Sequence, residues 1–219
     1  MTVVVCKKAN MLTFSQTILF SSASLVLIFT PGPDILYVMS RGIAQGRQAA
    51  LAAAAGFSLG NIVHTTFAVV GLSALLASSA TAFQMVKYAG AIYLVYLGIK
   101  MIRSTSALAP NQTKRSLSLW VIFRQSIVAN VLNPKVAIFF LAFFPQFIEE
   151  TRGGVALQML CLGGIFVVLT FLGFGLVGYG SGAIGAWLQA KPRIGGRIGK
   201  LAGSVLILLG LRLAWPEVR

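Results

Sequence analysis

Acidic residues are almost missing from this sequence: four Asp and Glu stand against 18 Lys and Arg. Histidine occurs once, at His64, and the two cysteines, Cys6 and Cys161, lie far apart. These scarcities exclude the familiar zinc-ligand spacings and give no sign of a disulfide framework. Charge as a whole is scarce at 10% of residues, while 57% are hydrophobic and the mean hydropathy is +0.86. A soluble domain carries roughly 25% charged residues, so an ordinary globular protein is excluded. The net charge of +14 would raise the question of nucleic acid in a soluble chain. Here the basic residues sit at the ends of apolar runs, where membrane topology accounts for them and nucleic acid is not expected.

The chain is rich in long apolar runs. A spanning helix needs roughly 20 mostly apolar residues at about 1.5 Å each. Windows of that length predict an all-α integral membrane protein with about six transmembrane helices: Phe14 to Met39, Ala49 to Ala77, Ala82 to Ile102, Gln125 to Ile148, Val155 to Gly180 and Gly199 to Trp215. The uncharged runs between Lys87 and Lys100 and between Lys200 and Arg212 are short, and snorkelling of the flanking cations completes those two spans. An interfacial last segment would leave five crossings. The first stretch runs on from Thr30 through Ile35-Leu36-Tyr37-Val38-Met39 without a small-residue cleavage site, so it reads as a retained span rather than a signal peptide.

Basic residues orient the spans. Arg41, Arg47, Lys100, Arg103, Lys114, Arg115, Arg124, Lys191, Arg193, Arg197 and Lys200 fall on one side. Lys7, Lys8, Lys87, Arg152, Arg212 and Arg219 fall on the other, beside Glu149, Glu150 and Glu217. The first side is expected to be cytoplasmic, which places both termini outside. The loop of about 103–118, with Pro110, is a polar cytoplasmic connector, so its sequon Asn111-Gln112-Thr113 carries little weight.

An internal repeat is visible. Thr30-Pro31-Gly32-Pro33-Asp34 interrupts the first span and Leu132-Asn133-Pro134-Lys135 the fourth. Lys87-Tyr88-Ala89-Gly90 with Gly98 in the third span matches Lys200-Leu201-Ala202-Gly203 with Gly210 in the sixth. The single transmembrane domain thus divides into two three-helix repeats, about 11–102 and 119–215. Three being odd, the second repeat enters from the opposite side, an inverted arrangement typical of secondary transporters whose site lies where broken helices meet.

Pro31 and Pro33 remove backbone donors and leave carbonyls that must face protein, water or substrate. Gly32 permits the turn, and the half-helix that follows begins with unpaired N–H groups suited to a carboxylate; a packing kink is the plainer alternative. Asp34 is the only acid inside a predicted span, where a charge costs several kcal/mol. It can hold a substrate ammonium, carry a coupling proton, or cap the second half-helix. Lys135 is the matching cation, read either as an exchangeable partner of Asp34 or as half of a static ion pair. Asn130 and Asn133 can bind substrate or join helices.

His64, near Asn61, can relay protons, but a neutral histidine bonded to a neighbouring helix is the better reading. Ala52, Gly56 and Gly60 mark one close-packing face. Glycine-rich faces of this kind permit a homodimer and serve equally within one chain. Gly56-Phe57-Ser58-Leu59-Gly60 formally matches a nucleophile elbow, but no strand precedes it and His64 lies on another face, so an intramembrane Ser hydrolase is a weak alternative. A small-ion or metal exporter or channel is the other; it predicts a continuous polar path or a carboxylate and histidine cluster, and the single intramembrane acid argues against the metal exporter. Pro145-Gln146-Phe147 reads as a helix stop, with Glu149 and Glu150 solvated beyond it.

At these residues the sequence resembles the LysE/RhtB family of bacterial amino-acid exporters. The resemblance is carried by Thr30-Pro31-Gly32-Pro33 with Asp34, the Gly46 to His64 region, Lys87 to Leu94 with Gly98, and Asn133-Pro134-Lys135 leading to Phe139-Phe140 and Pro145-Gln146-Phe147. It covers about Met11 to Trp215; the ten residues before Met11 depart from the pattern and put the start in question. The resemblance implies an inner-membrane secondary transporter that exports amino acids or analogues, driven by the proton gradient and without a cofactor. Its RhtB-like branch implies neutral substrates such as threonine, homoserine, homoserine lactone or leucine rather than lysine. The partners expected are a small-molecule substrate, protons and membrane lipids.

Overall fold

The computed structural model describes residues 12–78, 80–103, 116–152, 154–183 and 192–215. No strand occurs among them. The first predicted span is two helices, α1 (Phe14–Phe29) and α2 (Pro33–Gln45), bent by 60°. The second and third are α3 (Arg47–Ser78) and α4 (Ala80–Arg103). The fourth is again broken: α5 (Leu119–Val131) gives way to α6 (Pro134–Ile138), which continues through a π-helical turn (Phe139–Phe143) and a 3₁₀ turn (Phe144–Phe147), with a bend of 48° at the break. The last two are α7 (Val155–Tyr179) and α8 (Pro192–Ala214).

Local chemistry sets these ends. Thr13 and Gln16 form a reciprocal capping box at the start of α1. Gly46, at φ 84°, makes the sharp turn from α2 into α3, a conformation that L side chains avoid. Ser118 caps α5 through a bond from the Val121 amide, so this helix begins before the expected Gln125. Arg124 does not end it because a helix rim can carry a cation. Likewise α8 starts at Pro192 rather than near Gly199, proline being tolerated in a first turn.

Among the described residues two helices, at Arg47–Gly71 and Val155–Tyr179, are long and apolar enough to cross a bilayer alone, and counting each bent pair as one span gives four. α4 and α8 are 24 and 23 residues long but carry Lys87, Lys100 and Arg103, and Arg193, Arg197, Lys200 and Arg212.

Small residues let the backbones approach. α4 and α8 meet through Gly98 and Gly203, where a Cβ on either would lie 2.5 or 2.6 Å from the other's carbonyl oxygen. α3 packs on α7, with Thr65 against Gly163 and Ala50 against Gly178. It packs on α5 through Gly56, which abuts the Phe123 carbonyl, and Gly60, where a Cβ would lie 2.5 Å from Asn130 Oδ1. This is the face expected from Ala52, Gly56 and Gly60. Cys161 on α7 is disulfide-bonded, against the expectation from its isolated position; Cys6 lies outside the described residues. So do the sequon and Pro110 of the polar connector. Glu149, expected to be solvated, pairs with Arg152, and its main chain exchanges two bonds with the Gln158 side chain.

A Gly56→Val variant should lower the thermal unfolding midpoint in detergent, by about 1–3 kcal/mol in stability for an overpacked site. Gly71→Ala, where a Cβ meets nothing within 4 Å, should be neutral or slightly stabilising. Equal midpoints for the two variants would contradict the close α3–α5 contact.

Candidate functional site

The two broken helices meet. Pro31 has no N–H to donate to Leu27, one turn back, and Pro134 has none for Asn130. Neither carbonyl is left bare. Lys135 Nζ donates to Leu27 O at 3.3 Å and to Thr30 O at 3.4 Å. His64 Nε2 lies 3.1 Å from Asn130 O; a carbonyl can only accept, so this nitrogen carries the proton. The Asn130 carbonyl also accepts the Asn133 amide at 2.9 Å, so the second break is closed partly by its own main chain, whereas a side chain of another element closes the first.

Asn133 joins the breaks. Its Oδ1 accepts from the Lys135 amide at 3.0 Å, capping α6. Its Nδ2 donates to both oxygens of Asp34, at 2.7 and 2.6 Å. Asp34 is 3% exposed and Lys135 6% exposed. Gly32, extended at φ −167°, is the cap of α2, so Asp34 is not the N-cap that the sequence allowed; it sits in the first turn with its carboxylate turned to α6. Nor do Asp34 and Lys135 form a direct ion pair: the carboxylate is held by an amide and the ammonium by main-chain carbonyls. A Cβ on Gly32 would lie 3.2 Å from Lys135 Nζ, so the glycine leaves room for the ammonium.

Asp34, Asn61, Asn130 and Lys135 line one small cavity together with Leu27, Ile28, Val136, Phe166, Thr170 and Phe174. Its volume is about 10 Å³, room for about one water. Asn61 Nδ2 donates to Thr170 Oγ1 at 3.0 Å, while Asn61 Oδ1 and Asn130 Oδ1 are buried acceptors without partners. Of the other residues singled out in the sequence, Pro31, Gly32, Pro33, His64 and Asn133 stand behind the cavity rather than on its wall. Ser58 Oγ is buried without a partner and His64 is engaged elsewhere, so the formal Gly-x-Ser-x-Gly motif has no serine–histidine contact.

The sequence reading missed the apolar wall. Phe166, Thr170 and Phe174 stand four residues apart on one face of α7, and Thr170 is the lone hydroxyl in that helix's apolar stretch, a signal that could have been used. It missed the aromatic clusters beside that wall too. Phe166 is packed with Phe20, Phe139 and Phe140, which extend to Phe144 and Phe147. Phe174 packs edge-on to Phe57, Phe57 to Tyr37, and the Tyr37 hydroxyl donates to Gln125 Oε1 at 2.9 Å. His64 stacks on Phe140. Aromatic side chains thus flank the cavity on both sides of α7's polar point, Thr170.

The family model for the LysE type translocator matches residues 25–216, from α1 to the end of α8. The chain belongs to the LysE type translocator family. It is 33% identical over 205 residues to a homoserine/homoserine lactone efflux protein of Salmonella typhimurium (strain LT2), covering 93% of this chain and 98% of that protein. An uncharacterized membrane protein of Vibrio cholerae is 34% identical over 193 residues, covering 87% and 92%. A leucine efflux protein of Enterobacter sp. (strain 638) is 28% identical over 193 residues, covering 86% and 90%. No solved structure matches. As a member of the LysE translocators the chain is a multi-pass membrane protein, as its apolar helices require.

The Asp34–Asn133 bond gives a direct test. Asn133→Asp keeps a cap oxygen but sets two carboxylates together in a buried place and should destabilise the protein. Adding Asp34→Asn restores one amide and one carboxylate, and should recover most of the loss, a coupling of about 1–3 kcal/mol. Additive effects on the unfolding midpoint would show that the two side chains do not depend on each other.

Proposed function

We propose that this LysE translocator exports small neutral amino acids or their close derivatives across the bacterial inner membrane by proton antiport. The observation that carries the reading is the meeting of two proline-broken helices at Asp34, Asn133 and Lys135, beside a small cavity with both polar and apolar walls. Substrate ammonium is received by Asp34 and the unpartnered oxygens of Asn61 and Asn130. Substrate carboxylate is received by Lys135 and the free amides that open α2. The side chain lies against Leu27, Ile28, Val136, Phe166 and Phe174, which favours homoserine, its lactone, threonine or leucine over lysine. Homologues named for homoserine, homoserine lactone and leucine efflux support the same class.

On this reading the halves 11–102 and 119–215 are inverted repeats, α4 and α8 complete six crossings, and both termini face the periplasm. The pairing of α3 with α7 and of α4 with α8, the corresponding helices of the two halves, fits such an axis. A cavity of about 10 Å³ cannot admit an amino acid, so transport requires the aromatic closures beside Phe166 and Phe174 to open in alternation. Asp34 exchanges Asn133 for substrate on one stroke and carries the proton on the other. The LysE membership and the unpaired Ser58 favour a transporter over a hydrolase.

Proteoliposomes loaded with labelled homoserine or leucine and given a pH gradient test the proposal: flux should follow the gradient and cease when it is dissipated. Asp34→Asn should insert normally yet lose gradient-driven flux by at least about tenfold, the effect of ~1.4 kcal/mol on the coupled step. Normal coupled flux in that variant would remove Asp34 from the mechanism, and flux of ions without amino acids would favour the channel reading.

A further inference from the structure

A second and much larger recess opens away from the central site. It measures about 930 Å³ and is formed by α1 from Gln16 to Val26, the start of α4 at Lys87, the end of α8 from Leu208 to Trp215, and the turns that follow the second broken helix. All of these contributions come from one end of the helix bundle. Along α1 the recess extends about 15 Å, ten residues at the helical rise. Leu19, Leu208 and Leu211 on its walls are exposed, and Phe143 and Phe147 form its floor, on the far side of the aromatic cluster from the central cavity.

Its polar lining is Gln16, Ser22, Lys87, Gln146 and Arg212, two cations among neutral groups with no acid on the wall among the described residues. Lys87 and Arg212 line the recess and have no hydrogen-bond or ion-pair partner among the described residues. Gln146 also lines it, and its Nε2 is buried with no partner. A buried N–H without an acceptor costs about 1–3 kcal/mol, which marks a place where an acceptor belongs. Among the described residues Glu149 lies beside Gln16 of this wall: its carboxylate pairs with Arg152 and lies 3.5 Å from Gln16 Nε2. Trp215, exposed at the rim, suits the headgroup level of a bilayer.

We propose that this recess is a binding site for one anionic phospholipid, with its phosphate between Lys87, Arg212 and the Gln146 amide and an acyl chain along the leucines of α1 and α8. Two cations and an unpartnered donor above an apolar trough match that amphiphile. Arginine suits a phosphate through paired N–H bonds, and a neutral apolar partner would leave all three donors unmatched. The lipid would hold α8 against α1, two helices that touch each other little, and would lie against Phe143 and Phe147 of the closure.

Trp215 reports on the site. In a Trp120→Phe, Trp187→Phe background it is the sole tryptophan, and the full chain is reconstituted in vesicles containing brominated phosphatidylglycerol or brominated phosphatidylcholine at equal mole fraction. Quenching should favour the anionic lipid by roughly fivefold in relative binding constant, the effect of one basic side chain at an anionic surface. Lys87→Gln with Arg212→Gln should bring the ratio to about one. Equal quenching by both lipids in the parent chain overturns the proposal by itself, whatever the variants do. So does a preference that survives both substitutions. Relief of quenching by inorganic phosphate beyond that of chloride at equal ionic strength would assign the cations to free phosphate. Protection of Trp215 from both lipids would assign the recess to a second copy of the chain. None of these readouts involves transport.

Discussion

The site depends on a missing proton donor. Water supplies a substitute wherever a soluble helix is interrupted by proline; in the hydrocarbon region nothing does, and an unsatisfied carbonyl costs several kcal/mol. Pro31 and Pro134 create that need one turn behind themselves, at Leu27 and Asn130. Lys135 answers the first, and His64 together with the Asn133 amide the second. The donor to the first break comes from the second broken helix, which holds the two interruptions together at one depth. The glycines follow from the same need, since Gly32 leaves room for the ammonium and Gly60 admits Asn130 against α3.

Asn133 converts this geometry into a chemically addressable centre. An acid and a base placed directly together would form a closed ion pair of slight use to a third molecule. Here an amide holds the carboxylate and main-chain carbonyls hold the ammonium, so on the proposed reading each charge is satisfied by neutral groups that a ligand's own charges can displace. Displacement is less costly than breaking a buried ion pair, which leaves a bare charge on each side.

Much of this was legible in the sequence because it rests on residues with strong individual physics. Prolines inside apolar runs announce broken helices, and a lone buried acid announces a polar centre. Both breaks and all four titratable or amide residues on the cavity wall were found that way. The roles within the centre were harder. Asp34 could be named as a cap because the spacing allowed it, yet the extended Gly32 took that place and Asn133 took the carboxylate. The apolar wall and the two aromatic clusters escaped because phenylalanine is plentiful in this chain, 15 residues, and no spacing rule separates a site wall from ordinary packing. Phe166 and Phe174 acquire meaning only from Thr170 between them, which a closer reading of α7 would have found. The early start of α8 escaped because charge density at Arg193, Arg197 and Lys200 hid the helix from an apolarity window.

Charge balance extends the argument to the solute. Asp34 and Lys135 contribute opposite formal charges to a centre whose other walls are amides, one hydroxyl and hydrocarbon. A zwitterion that exchanges with their present partners leaves that sum at zero. A dibasic solute adds an uncompensated positive charge at a depth where a charge costs several kcal/mol, and no second acid lies on the cavity wall to receive it. On the proposed reading, selection against lysine therefore needs no steric filter. It follows from the same scarcity of carboxylates that distinguishes this chain from its first residue to its last.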